Sequence, residues 1–448
     1  MLMEEKKYLN LGQKLAYGSG DLASNFAYTF VSGFVLMYLT NSVGLNSAVI
    51  GTLMLVSKMF DGFTDVMFGT LIDRTHSRMG KARPWMFWST FLLAVCLILQ
   101  FTVPHASKTI QYTYFFIVYT LMNAVFYTAN NIAYSTLSAL ITRNGNERVQ
   151  LGAFRFVFAL IAAMSISSLT AGFVEKFGGG ATGWRNVAIL YAVILVVVNT
   201  IAVLSVKEIP EEEEDLSAEK QSFLKNIGHC IHNRYYLIIL GIYIANNMLA
   251  GITQGVGIYY MMYVLGNPSL LGLFSMAGML PMMLGIMFTP MLVKKYGMFK
   301  INKISLLLAS VMCIPFMIAA KFQAVYLMAA FSAIRGIFLG PLTGSLNALI
   351  AETARYSYLK EKIHIEGTMF SCSSMGIKLG GGIGSALCGW LLAAGGFDGM
   401  KTVQAAGALN MISIMYTVIP LVFYVLIFIL TLFLNVEEAN RRIEQKMN

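Results

Sequence analysis

Twelve long apolar runs, almost free of charge, constrain this chain more than any other feature. They cover residues 15–40, 48–72, 85–104, 111–141, 151–175, 185–206, 235–265, 270–293, 303–320, 323–350, 367–394 and 407–435. Each is near or above the roughly 20 residues that carry a helix across a bilayer. Backbone groups in a bilayer must bond within their own segment, so such runs fold as helices and not as open strands. Only 12% of the 448 residues are charged, against about 25% in a soluble chain. The expected fold is therefore an all-α, multi-pass membrane protein. In a soluble chain the net charge of +10 would suggest a nucleic-acid partner; here none is expected, because the distribution of charge says more than its sum.

Lysine and arginine are distributed unevenly. If the twelve runs cross, both termini share a side, and the loops on that side hold 23 of the 32 basic residues. The opposite loops and their rims hold five: Lys108, Lys176, Arg185, Lys321 and Lys401. Positive charge stays inside, so both termini are expected in the cytoplasm. The longest polar stretch, 207–234, carries the acidic run Glu211–Asp215 and reads as a solvated linker. It divides the chain into a six-helix bundle at 1–206 and another at 235–436, with a cytoplasmic tail at 437–448. The basic stretch Asp73–Arg83 after the second run has a weak counterpart in Lys294–Lys300 after the eighth. Paired halves with a solute held between them near the midplane are the pattern of a secondary transporter. The polar N-terminus is followed by an apolar run too long for a signal-peptide core, and insertion by the chain's own helices is expected.

Away from the ends of the runs, the acids are Asp21, Asp61 and Asp65, and the bases are Lys58, Arg155, Arg335 and Lys378. Lys58, Asp61 and Asp65 stand at i, i+3 and i+7, along one helix face. Each such charge costs about 2.5–3.5 kcal/mol on insertion scales, so three on one face need a reason. Two carboxylates one turn apart can share a hard monovalent cation with neighbouring oxygens, for which Thr64 and Thr128 are candidates. If the ion is a proton, the two acids titrate as a coupled pair. The competing reading is a structural ion-pair cluster. Arg155 and Lys378 suit either a solute's carboxylate and hydroxyls or the neutralisation of empty acids. The glycines from Gly376 to Gly384 permit close helix packing that would let Lys378 approach the acidic face of the second helix.

Asn25, Asn130 and Asn131 are amides of the type that read sugars, or that bond between membrane helices. Tyr28, Tyr127, Tyr134, Tyr259 and Tyr260 can stack on a sugar face or anchor at the interface. No catalytic triad, zinc-ligand pair or phosphate loop occurs, and the five cysteines have no metal or disulfide spacing. No enzyme activity and no cofactor are expected.

Tyr17-Gly-Ser-Gly20-Asp21-Leu-Ala-Ser-Asn25-Phe, Asp61-Gly-Phe-Thr64-Asp65, Gly80-Lys81-Ala-Arg83-Pro84-Trp85, Asn131-Ile-Ala-Tyr134, Arg155, Ile365-Glu366-Gly367 and Lys378 form an ordered set. Over about 15–435 the chain resembles the glycoside–pentoside–hexuronide:cation symporters of the major facilitator superfamily. The resemblance implies twelve transmembrane helices in two pseudo-symmetric six-helix bundles. It implies that Asp61, Asp65, Thr64 and Thr128 bind the coupling cation, Na+ or H+. It implies that Asn25, Asn131 and Arg155, with Tyr134 beside them, face the solute, and that Lys378 lies between the two sites. Lys58, Asp73, Arg74 and Arg335 then belong to gating or coupling. The implied partners are a small sugar derivative, a monovalent cation and the lipid bilayer, with a monomer as the functional unit. The implied location is a bacterial cytoplasmic (inner) membrane.

The chain departs from melibiose permease by amides in place of acids at 25 and 131, by Val66 in place of proline, and by Glu352-Thr-Ala-Arg355-Tyr-Ser-Tyr358 in a normally acidic segment. The amides disfavour galactosides and leave an anionic or a neutral glycoside open, and Arg335 biases the cavity toward an anion. A carrier of lysolipid or another amphiphile and a non-transporting sugar sensor are the alternatives.

Overall fold

Helix ends are set by identifiable residues. Asn10 and Gln13 cap the first helix reciprocally, side chain to backbone, at 2.8 and 3.0 Å. Asn46 caps the second through the N–H groups of Ala48 and Val49, and Asn144 caps the fifth through that of Glu147. Such caps satisfy N–H groups that the first helical turn leaves without partners. Pro84 opens the third helix, where a missing N–H costs nothing.

The computed structural model describes residues 7–209, 223–361, 363 and 365–447. The acidic run Glu211–Asp215, Lys220 and His364 lie outside the described residues, as do the side chains of Val66, Lys225 and Glu366. Among the described residues the apolar runs form twelve helical rods and no strand. The first is Leu11–Met37 continued by Tyr38–Ser42, the second Ser47–Asp73, the third Arg83–Gln100. The fourth runs through Lys108–Thr120, Leu121–Tyr127 and Thr128–Leu140; the fifth is Gly145–Lys176 and the sixth Gly180–Leu204. The seventh is Arg234–Tyr259 with Tyr260–Val264, the eighth Leu270–Tyr296, the ninth Met298–Lys321, the tenth Val325–Glu361 and the eleventh Glu366–Ala394. The twelfth is Ala406–Ser413, Ile414–Val418 and Ile419–Leu432. Among the described residues, ten spans are long and apolar enough to cross a membrane by length and composition alone. The second and fourth helices are not among those ten; they carry, respectively, Lys58, Asp61 and Asp65, and a series of Asn, Thr and Tyr. The tenth outruns its apolar stretch by a polar extension to Glu361. Short helices Phe223–His232 and Val436–Met447 flank the second half.

Among the described residues, four rods contain a widened π-helical turn: 38–42, 121–127, 260–264 and 414–418. Two of them expose a repeat that the sequence hides. Val43 N–H bonds to Tyr38 O and Leu45 N–H to Leu39 O; Leu265 N–H bonds to Tyr260 O and Asn267 N–H to Met261 O. Each turn ends on a glycine in the left-handed region, Gly44 at φ +77° and Gly266 at φ +70°, where a side chain would strain the backbone. The offset is 222 residues. It also relates Asn25 to Asn247, whose amides each donate at 2.8 Å to the carbonyl four residues back, Asp21 O and Tyr243 O.

The chain packs as two compact units. The first comprises Met1–Glu214, Gly257–Gly272 and Gly389–Ala408. Its first helix lies against the fifth and sixth, around rings of Phe30, Phe34, Phe101, Trp184 and Tyr191. Segments 257–272 and 389–408 join it through Thr40 Oγ1 with Tyr259 Oη (2.8 Å), Asn41 Nδ2 to Tyr263 Oη (2.6 Å) and Trp390 Nε1 to Thr52 Oγ1 (3.0 Å).

The second unit comprises Asp215–Val256, Leu273–Cys388 and Leu409–Asn448. Gly376, Gly380 and Gly384 leave no room for a Cβ against Leu240, Ile244 and Met248 of the seventh helix. The glycine seam therefore packs the eleventh helix on the seventh, within this unit. Lys378 is two residues from the seam, about 200° around the helix, and so lies off the face that meets the seventh helix. The short helix Val436–Met447 docks on the polar extension of the tenth: Asn440 Nδ2 donates to Glu352 O and Oε2 at 3.1 and 3.2 Å, and Arg355 pairs with Glu444 at 2.5 Å. The altered segment Glu352–Tyr358 thus holds the tail helix.

Candidate cation and solute site

The second helix presents Asp61 to the interior of the first unit, 3% exposed. Lys58, one turn earlier, stands 3.7 Å from Asp61 Oδ2. On the other oxygen, Thr128 Oγ1 lies 2.5 Å from Asp61 Oδ1 and 3.0 Å from Asn123 O. One hydroxyl proton thus serves two acceptors. Thr128 follows the widened turn 121–127 directly. An extra residue in a turn rotates everything after it by about 100°, and this sets the face that Thr128, Asn130 and Asn131 present. Nothing in the local sequence announces that turn. The Thr64 hydroxyl donates to Asp61 O at 3.0 Å, a backbone oxygen of its own helix, which leaves its lone pairs unused by that bond. Asp65 sits one turn beyond Asp61, half-buried.

The first and fifth helices supply a second charged pair. Arg155 Nε is 2.6 Å from Asp21 Oδ2. The guanidinium lies flat over Tyr134, 4.1 Å from the ring centroid, an arrangement that suits Arg better than Lys. Tyr134 is fully buried. Its hydroxyl donates to Tyr17 O at 2.7 Å while Tyr17 Oη donates to Tyr134 O at 2.7 Å, so the ring is a fixed floor under Arg155. Asn25, one turn from Asp21, is half-buried, as is Asn131. Tyr28 and Tyr127 stack at 5.1 Å, and Lys58 Nζ is 5.3 Å from the Tyr28 centroid. The aromatic pair bridges the neighbourhoods of the two charged pairs.

Adjacent amides have different surroundings. Asn130 is wholly buried and donates to Met86 O, Ser89 Oγ and Thr90 Oγ1 at 2.9–3.1 Å, while Ser24 and Asn199 donate to its oxygen. It ties the first, third, fourth and sixth helices together. Asn131 points a different way and is not held in that network.

The other expected residues stand on further elements. Lys378 is half-buried on the eleventh helix of the second unit. Arg335 turns toward the ninth helix of that unit, 3.9 Å from Cys313 Sγ and 4.8 Å from the Phe316 centroid. Asp73 and Arg74 are exposed at the end of the second helix. The sequence reading overlooked Glu208, whose carboxylate accepts from the N–H groups of Lys81, Ala82 and Arg83 at 2.6, 3.0 and 2.9 Å. Gly80, at φ +107°, sits against that carboxylate, with no room for a Cβ.

A rod-built chain, strandless among the described residues, with charged pairs inside its helical bundle is a multi-pass membrane transporter. The chain belongs to the MFS/sugar transport protein family, whose model matches residues 16–438. It is 29% identical to the isoprimeverose transporter of Lactiplantibacillus pentosus over 447 residues, covering 99% of this chain and 91% of the relative. It is 26% identical to the inner membrane symporter YicJ and to the putative glycoside/cation symporter YagG of Escherichia coli K12, each over 94% of this chain and 91% of the relative. The expected likeness to the glycoside–pentoside–hexuronide:cation branch stands. Solved structures of major facilitator type share the fold: a bacterial homolog of the human lysosomal transporter Spinster (TM-score 0.69, 13% identity, 97% of both chains) and the nucleoside transporter NupG (TM-score 0.63, 14% identity, 94% of this chain and 98% of that one). The family's activity is transport, and the chain is not an enzyme.

Proposed function

We propose that the chain is a secondary transporter importing a glycoside, pentoside or hexuronide with a monovalent cation, Na+ or H+, by alternating access, with both termini in the cytoplasm. The observation that carries this reading is Asp61, a buried carboxylate held between an ammonium and a hydroxyl inside the helices of the first unit. Asp61, Asp65 and Thr128 are the cation's ligands, all hard oxygen donors. Lys58 supplies the positive charge that offsets Asp61 when no cation is bound. Asn25, Asn131 and the Tyr28–Tyr127 stack read the solute, over the Asp21–Arg155 pair.

Both embedded bases of the first unit already face carboxylates, so this half offers no excess positive charge. That favours an uncharged glycoside or pentoside over a hexuronide, in keeping with the isoprimeverose carrier among its relatives. One cation crossing about 100 mV supplies about 2.3 kcal/mol, an accumulation of about 50-fold. Proteoliposomes loaded with defined Na+ or H+ gradients and offered xylosides, other glycosides and glucuronides test the reading. Uptake of an uncharged glycoside driven by one of these gradients is expected. Absence of cation-driven uptake for every sugar would overturn it.

A further inference from the structure

The wall of the first unit carries a groove unconnected with the charged pairs. It is a cavity of about 480 Å³ between the second, third and fourth helices, lined by Phe68, Trp85, Trp88, Leu92 and Phe126 among others. That volume is within the range of ordinary ligand pockets. The lining is almost wholly apolar, and the groove opens outward: Trp88 is 64% and Leu92 47% exposed.

A second cavity, about 520 Å³, adjoins it beyond the helix ends. Its walls include His76, Arg78, Lys81, Arg83, Lys207 and Glu208. Four of these are permanent cations. The one carboxylate, Glu208, is turned onto the N–H groups of residues 81–83. Thr75 lines both cavities, and its hydroxyl accepts from Trp85 Nε1 at 2.7 Å. An indole that is apolar on one side and hydrogen-bonded at its tip marks the headgroup level of a membrane.

An apolar slot that shares the Thr75 wall with a basic cavity is complementary to one kind of molecule. We infer that this is a binding site for an anionic glycerophospholipid of the surrounding bilayer. One acyl chain fills the groove beneath Trp88, and the phosphate lies among Arg78, Lys81 and Lys207. Basic pockets at the cytoplasmic rim of membrane helices select acidic headgroups in this way. The lipid bridges the second, third and fourth helices, including the rods that carry Asp61 and Thr128. The inference requires only that the chain spans a membrane, and is independent of cation and solute.

The test uses the full chain in nanodiscs, with phosphatidylglycerol or phosphatidylcholine brominated on the acyl chain and tryptophan emission as the readout. Brominated phosphatidylglycerol is expected to quench at a mole fraction about fivefold or more below that of the choline lipid, since each basic residue near the surface contributes about a factor of five. Arg78→Gln with Lys207→Gln should weaken that preference by at least about fivefold. Both residues are exposed, so an unchanged melting temperature is expected. Trp88→Phe should remove much of the quenchable emission, which locates the chain in the groove. Equal quenching by both lipids, a preference undiminished in the double variant, or quenching unaltered by Trp88→Phe would overturn the inference.

Discussion

Thr128 Oγ1 lies 2.5 Å from Asp61 Oδ1, although 67 residues separate them, and its proton is shared with Asn123 O. A hydroxyl held there keeps one carboxylate oxygen on a fixed bearing without adding charge. A hydrogen bond to a charged group contributes about 1.5–3 kcal/mol. Thr128→Val is therefore expected to raise the half-saturating cation concentration about tenfold or more, with Thr128→Ser close to wild type. Asp61→Asn should abolish cation-driven uptake while exchange down a sugar gradient persists. Both are read in proteoliposomes with a labelled glycoside.

The Asp21–Arg155 pair predicts a cycle of variants. Removing one member leaves a charge in a poorly hydrated site, which costs about 3–5 kcal/mol in buried pairs. The side chains here are 15% and 20% exposed, so a smaller loss, about 2 kcal/mol, is expected for Arg155→Gln. Asp21→Asn with Arg155→Gln should regain part of the melting temperature and none of the uptake. Arg155→Lys should keep the pair but lose the flat contact with Tyr134, and transport should fall by about tenfold. Melting curves and initial uptake rates separate these outcomes.

Neighbouring amides should behave differently. Asn130→Leu strands Ser24 and Asn199 in a buried network and is expected to lower stability by about 2 kcal/mol without altering cation dependence. Asn131→Ala should leave the melting temperature within about 0.5 kcal/mol equivalent and weaken solute binding. A thermal-shift series with sugar and cation distinguishes the two.

Glu208 caps the chain at residues 81–83. Glu208→Gln keeps the shape and removes the charge; loss of a cap of this kind costs about 1 kcal/mol. Faster hydrogen exchange at Lys81–Arg83, with the rest of the third helix unchanged, is the expected signature. Gly80→Ala should be worse, since it both strains φ and displaces the carboxylate.

Glu147 gives a pH dependence outside the membrane. Burial acts to raise its pKa, but the Thr142 hydroxyl, the Lys14 ammonium and the N–H groups of Tyr8 and Leu9 outweigh burial and push it down to about 2. A carboxylate with a lowered folded-state pKa stabilises fully above its ordinary value, here 4.5, and that stability is lost as pH falls toward about 2. Melting temperatures measured from about pH 5 to about pH 3 should fall more steeply for the wild type than for Glu147→Gln.

The helical rods were legible because apolar length is a local property. Asp61, Asp65 and Arg155 were legible for the opposite reason: charge inside such a run is costly. Glu208 was not, because a carboxylate just past a helix end is ordinary until 81–83 are placed beside it. The partition of Asn130 from Asn131 was equally hidden, since two adjacent amides look alike until the helix phase is known.

The sequence by itself determined the class, the helices and which charges needed a reason, since hydrophobic length and insertion cost accrue residue by residue. Tertiary structure alone decided the partners: Arg155 with Asp21 over Tyr134, Thr128 with Asp61, the glycine seam of Gly376, Gly380 and Gly384 on the seventh helix. For Thr128 and Tyr134 it did so through the widened turn at 121–127. One extra residue there resets the face of everything that follows, and a shift of helix phase has no cost that composition can record.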